Sequence, residues 1–286
     1  MQSEQNNNWD LVIEPKTTGL NLNLRALWRY RDLLFLLVRR DFVTIYHQTV
    51  LGPLWFFIQP VFNTLVFTVI FGNMAHISTD GIPSIIFYLG GLTLWNYFAD
   101  TLTKTSDTFI VNASVFGKVY FPRLIMPLSV VISNLFRFGV QLGLFCAVWI
   151  YYFVNGKVHP NSHLLLFPVL IVILACLGLG FGALISSLTT KYRDLKFLIG
   201  FGVQLAMYAS PIVYPLSLVR KQFPQYEWLA VLNPITPVLE TFKYATCGNG
   251  IFEWSYLCYS FVFSVSILLI GILFFNRIEK SFMDTV

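Results

Sequence analysis

Arg137 is the only charged side chain between Arg123 and Lys157, and Asp100 follows a stretch, Gly81 to Ala99, that carries no charge at all. A lone charge inside hydrocarbon costs about 2.5–3.5 kcal/mol on insertion scales, so both residues need a reason to be there. Either each is met by a neighbouring helix, by water or by the other, or Arg137 faces an aqueous path and meets an anionic group of a substrate. Aromatic and amide side chains share the same apolar stretches: Trp55, Phe56, Phe57, Gln59, Phe62 and Asn63, then Tyr88, Trp95, Asn96 and Tyr97, then Gln204, Tyr208, Ser210 and Tyr214. Lipid contact and interfacial placement account for most aromatic residues of a membrane protein. The mixture also suits carbohydrate, whose C–H faces stack on rings while its hydroxyls bond to amides. Catalytic patterns are missing: the chain has no GxxxxGK[ST], HExxH or GxSxG and no pair of carboxylates inside one apolar stretch. His159 and His163 are four apart, but Pro160 separates them and no acid is near, so no metal is expected.

The elements that must position these residues are membrane helices. Of 286 residues, 56% are hydrophobic and 12% charged, against about 25% charged in a soluble chain. No Lys, Arg, Asp or Glu occurs in Phe42–Thr79, Gly81–Ala99, Val158–Thr190, Phe197–Val219 or Trp254–Asn276. About 20 apolar residues cross a bilayer, so six spans are expected, at Leu54–Met74, Ser84–Lys104, Pro127–Val154, Leu164–Leu188, Phe197–Val219 and Trp254–Asn276. Fourteen of the nineteen basic residues fall on one side of that arrangement, four on the other, and Arg137 within a span. The positive-inside rule then puts both termini in the cytoplasm. The net charge of +5 thus reports topology rather than a nucleic-acid partner. Met1 to Thr18 is polar and contains acids, unlike a cleaved signal peptide, and the first span is expected to direct insertion. The four cysteines form no CxxC pair and read as packing residues.

Residues 1–53 read as a cytoplasmic arm, 54–276 as the membrane domain and 277–286 as a tail. Within the arm, Asn23–Val43 is amphipathic: Arg25, Arg29, Asp32, Arg39 and Arg40 lie on one face and Leu24, Leu27, Trp28, Leu34, Phe35 and Val38 on another, with Arg31 and Leu36 out of pattern. It is either a lipid anchor or, in addition, a docking surface. On the outer side, the 34 residues from Arg220 to Glu253 are too apolar and aromatic for disorder. Pro224, Pro237, Gly248 and Gly250 punctuate them as two short helices, Tyr226–Leu232 and Val238–Thr246. These are expected to dip back into the membrane, which exposed backbone tolerates only when protein or a cavity surrounds it. Pro60, Pro211 and Pro215 within spans permit kinks, fixed or moving. The cytoplasmic connection Thr105–Arg123 mixes polar Ser106, Asp107, Asn112 and Ser114 with apolar Phe109, Val111, Val115 and Phe116. It reads as a small helix offered to a partner's groove, together with Lys191–Lys196.

Five stretches in order, RRDFVTIYHQTVLGPLWFFIQP from Arg39, GKVYFPRLIMPLS from Gly117, KYRDLKFL from Lys191, SPIVYP from Ser210 and LNPITPVLETFKYATCG from Leu232, resemble the integral-membrane permeases of ABC transporters that export O-antigen, capsule or teichoic acid. The resemblance runs from about Leu24 to Glu279. It implies an all-α permease with six spans, an interfacial helix and two short outer re-entrant helices, working as a dimer in the bacterial inner membrane. A separate ATP-binding subunit would carry ATP and Mg, with no cofactor in this chain, and the cargo would be a lipid-linked polysaccharide, O-antigen by preference. On this reading the substrate path comprises Trp55, Phe56, Gln59, Phe62, Tyr88, Trp95, Tyr97, Arg137, Tyr208 and Tyr214. The coupling surface comprises Phe109, Asn112, Val115, Phe116, Lys118, Arg193 and Asp194, and the outer gate Tyr226, Trp228, Pro234, Pro237 and Phe242. An exporter of small amphiphiles, or an ion-coupled carrier, is the alternative.

Overall fold

The computed structural model describes residues 24–47, 52–112, 121–189, 192 and 194–282, and every regular element among them is helical. On the cytoplasmic side of the expected topology lie α1 (Leu24–Arg29) and α2 (Arg31–His47). The long helices are α3 (Trp55–Phe67), continued by a π-helical turn over Thr68–Met74, then α4 (Ser84–Ser106), α6 (Ile125–Val154), α7 (Phe167–Thr189) and α12 (Trp254–Phe282). Shorter helices are α5 (Thr108–Val111), α8 (Leu195–Ala209), α9 (Leu216–Gln222), α10 (Glu227–Leu232) and α11 (Thr236–Cys247).

Four helical stretches among the described residues are long and apolar enough to cross a membrane: Trp55–Met74, Ile125–Val154, Ser162–Thr189 and Trp254–Ile278. The other two expected spans take different forms. Helix α4 has the length but a more polar sequence, and it is wrapped by its neighbours over most of its surface, so lipid does not set its composition. The expected span Phe197–Val219 is divided, because α8 stops at Ala209 and α9 starts at Leu216. Pro211 is the cause: the residue before a proline is driven out of the helical region, and Ser210 is extended at φ −96°, ψ 153°.

Helix α7 occupies the centre, between α4 and α12. Its LGLGFG run, Leu177 to Gly182, makes this possible, since helices in lipid associate through close backbone approach at small residues. A Cβ on Gly180 would stand 2.7 Å from the Leu268 backbone nitrogen of α12, and one on Gly271 would run into the Gly180 carbonyl. On the opposite face of α7, Gly178 and Gly182 receive Thr101 and Thr105 of α4. Tyr88, Leu94, Leu174, Leu177 and Phe242 belong to the large apolar cluster that fills the space around this centre.

A second apolar cluster, with Leu37, Phe109, Ile125, Ala183, Ile272 and Phe275, lies at the other end and draws α2 against the bundle. Leu27, Leu33 and Leu34 join it, whereas Trp28, Phe35 and Leu36 are exposed. The apolar sector expected to form one face therefore serves two surfaces, one sealed against protein and one open. The side chains of Leu24 and Arg25 lie outside the described ones.

Candidate functional site

Three helices converge on Arg137. Its position on α6 faces Asp100 of α4, four residues before Lys104, and Gln59 of α3. The guanidinium lies 2.9 Å from Asp100 Oδ2, donates to Gln59 Oε1 at 3.2 Å and sits 5.3 Å from the centre of the Phe56 ring. The pair is 23% and 33% exposed at its side chains, so it opens to one side instead of being sealed. One turn along α6, Asn134 accepts from Lys104 Nζ at 2.9 Å and donates to Thr101 Oγ1 at 3.3 Å, and Ser133 donates to Asp41 Oδ2 of α2 at 3.2 Å. A polar seam thus runs from α2 to the middle of α3. The pairing of Arg137 with Asp100 was among the expected readings; the i, i+4 spacing of Asp100 with Lys104 and of Ser133 with Arg137 was the further signal, not used, that the seam extends beyond that pair.

The aromatic and amide residues separate into two groups. Trp55, Gln59, Phe62 and Asn63 recur along one exposed face of α3 at helical spacing. Phe197, Phe201, Gln204 and Tyr208 do the same along α8, none of whose residues is buried. Tyr88, Trp95 and Tyr97 are interior: Tyr88 is fully enclosed and meets the rings of Phe67, Phe71 and Phe87, Trp95 packs on Phe98, and Tyr97 on Phe138. Phe56 is buried beneath Arg137, and Tyr214, half-buried, donates to the Ala209 carbonyl at 3.2 Å.

Outside the long helices, α11 is the most enclosed element. Pro237 opens it, Gly248 closes it with φ 78°, and Pro237 and Phe242 are buried, the latter against Phe145 and Phe167. Glu240 and Lys243 form an ion pair at 3.0 Å that is almost wholly buried. Lys243 also donates to the Pro211 carbonyl at 2.5 Å and lies 3.8 Å from the centre of the Phe87 ring. Three elements are tied at one ammonium: the interrupted α8–α9 junction, α4 and α11. By contrast α10 is open, with Tyr226 and Trp228 exposed, and Pro234 half-buried just beyond it. Arg220 clamps it from α9, donating to Glu227 at 2.7 Å and to Glu253 at 3.0 Å, and these carboxylates hold the guanidinium proton above its ordinary affinity. His163 packs among Tyr244, Phe252 and Trp254, and no group of three His, Cys, Asp or Glu among the described residues could hold a metal.

At the end of the bundle expected to be cytoplasmic, Phe109 points inward and stacks on Phe275 at 4.5 Å, while Ile110 and Val111 are exposed and Asn112 donates to the Thr108 carbonyl at 3.0 Å. Asp194 is exposed before α8. The two connections are joined, by Lys196 to Asp107 at 2.7 Å and by Thr189 Oγ1 donating to the Ser106 carbonyl at 3.0 Å. Val115, Phe116, Lys118 and Arg193 lie outside the described residues.

Comparison with known proteins bears on all of these features together. The ABC-2 type transporter family model matches residues 32–246, more than half of the chain. Among curated relatives, an O-antigen export system permease protein RfbA of Klebsiella pneumoniae is 25% identical over 254 residues, covering 88% of this chain and 94% of that protein. Its counterpart in Myxococcus xanthus is 29% identical over 220 residues, 77% of this chain and 82% of that one. The polysialic acid transport protein KpsM of Escherichia coli is 24% identical over 253 residues, 86% and 93%.

Proposed function

The chain belongs to the ABC-2 type transporter family, and from that premise we propose that it is the membrane permease of an ATP-driven polysaccharide exporter, with lipid-linked O-antigen as its cargo. The relatives named for O-antigen export and polysialic acid transport, aligned over most of both chains, support the polymer class. One structural observation carries the reading: Gln59, Asn63 and Gln204 stand exposed among Trp55, Phe62, Phe201 and Tyr208 on α3 and α8. Amides are poor lipid-facing residues because nothing in hydrocarbon satisfies them. They are well placed if these faces line a wet path between two copies of the chain, where rings stack on passing sugars and amides bond to hydroxyls.

A polymer longer than the membrane is thick cannot be enclosed in one cavity, so movement is stepwise threading through a continuous lining. In this account α3, α4, α6, α7, α8 with α9, and α12 are six crossings of the bacterial inner membrane, both termini are cytoplasmic, and α10 and α11 dip back from outside as the gate. Arg137, half-open beside Gln59, meets the anionic part of the lipid-linked cargo as it joins the path. The exposed Ile110 and Val111, with Asn112, Asp194 and the neighbouring Val115, Phe116, Lys118 and Arg193, dock a separate subunit that holds ATP and Mg. Because Lys196 and Asp107 tie the two cytoplasmic connections, a push on either moves α4 and α8 together. The test is to purify the tagged permease from its native membrane and identify what travels with it. An ATP-binding protein and a glycolipid together are the expected result, and a permease that carries neither contradicts the proposal.

A further inference from the structure

A cavity of about 700 Å³ opens where the outer ends of α3, α4 and α6 meet. Its polar lining comes from Thr68, Asn73, Ser84, Tyr152 and Lys157. The π-helical turn that ends the first span explains why it exists. Its i→i+5 bonding, visible in the Ala75 amide donating to the Ile70 carbonyl at 2.8 Å, sets Thr68 and Asn73 one wide turn apart, on the same side.

The donors of this cavity are uncommitted. Thr68 Oγ1 is buried and has no partner among the described residues. Asn73, Ser84 and Lys157 make no side-chain hydrogen bond or ion pair among those residues, and Lys157 rests 5.8 Å from the centre of the Tyr152 ring. Ser84 and Ile85 begin α4, a 23-residue helix whose first-turn N–H groups have no intrahelical partner and carry the positive end of its dipole. No carboxylate lines the space, and Asp80, next to it in the chain, has both oxygens 2.6 Å from Ser217 Oγ. An ammonium, three hydroxyls, an amide and a helix start, with no acid, match an anion rich in acceptor oxygens. Sugar hydroxyls would ask for acceptors in equal measure. Exposed Ile70, Met74, Tyr151 and Val154 flank the cavity, giving acyl chains a surface beside it.

We propose that this cavity holds the phosphate of a membrane-lipid headgroup, with Lys157, Ser84, Asn73 and the start of α4 around its oxygens and the acyl chains lying along the outer ends of α3 and α6. The inference rests on the chain being a membrane protein and is independent of what it exports. Native mass spectrometry of the full-length permease tests it, using phosphatidylglycerol, diacylglycerol with the same chains, and inorganic phosphate as probes. Phosphatidylglycerol should bind about tenfold better than diacylglycerol, and Lys157→Gln and Ser84→Ala should each weaken it, the former about tenfold through loss of a charge-assisted bond. Arg277→Gln, the same charge change at an exposed site near the opposite end of the bundle, should leave binding unchanged. Equal retention of both lipids, or unaltered binding in both cavity variants, overturns the proposal. Displacement of the lipid by millimolar inorganic phosphate overturns the assignment to a lipid and leaves a solution anion in its place.

Discussion

Two pairs of helices carry aromatic residues in this chain and use them in opposite ways. In the α4–α7 pair the backbones meet at glycine, and Tyr88, Trp95 and Tyr97 fill the space around them, so nothing of these rings faces outward. In α3 and α8 the rings and amides stand on open faces, and α8 buries none of its residues. The same residue types are mortar in one pair and surface in the other. What decides is the neighbour: α7 supplies small residues that let α4 come close, whereas α3 and α8 have no such partner within the protomer. The first pair is a rigid frame. The second is held loosely and leaves its faces open.

Placing bulk on each side separates frame from wall most sharply. Gly180→Leu should abolish accumulation of folded permease, because even a Cβ there would collide with the α12 backbone, and overpacking that cannot relax exceeds the usual ~1–3 kcal/mol. Gly200→Leu on α8, where nothing lies within 4 Å, should leave level and thermal stability of the protomer unchanged in detergent extracts. Equal damage from both would erase the distinction. A smaller loss is expected from Lys243→Met, which strands Glu240 in a buried site and should cost about 3 kcal/mol. Adding Glu240→Gln should recover most of the melting temperature; if it does not, the Pro211 and Phe87 contacts of Lys243 matter more than its charge. Smaller still is Arg137→Leu, since the pair is partly open. Asp100→Leu in the same chain should restore membrane level but not export, separating a structural ion pair from one that also meets cargo. Full export by the double variant would assign the pair to structure alone.

Four of the expected spans appear as long apolar helices, legible because charge-free tracts such as Val158–Thr190 need no facing information to be recognised. The two short helices between Arg220 and Glu253 were legible through residues such as Pro237 and Gly248, whose backbone preferences are local. The break between α8 and α9 was written in Pro211 and Pro215, yet read as a kink: Pro211 drives Ser210 out of the helical region, and the tie from Lys243 of α11 to the Pro211 carbonyl is a contact that local sequence does not show. Facing was the hidden quantity. An aromatic residue in a span meets lipid, a path or a neighbour with equal ease by composition, and Phe109, expected at a docking surface, turned inward because Phe275 from a distant helix awaited it. The glycine run of α7 was the available signal that its neighbours would be buried. It tells which helices pack and, by exclusion, which remain open.

The central claim, that the open faces of α3 and α8 line the route of a polysaccharide, is tested most directly by measuring surface polysaccharide per assembled transporter in a Phe62→Ala, Tyr208→Ala double variant. Both rings are exposed, so their removal should leave membrane level and ATP-subunit binding intact. Losing two stacking contacts, each about 0.5–1.5 kcal/mol, should lower export per transporter severalfold. Export per transporter equal to that of the unaltered protein would contradict the account and return both rings to lipid.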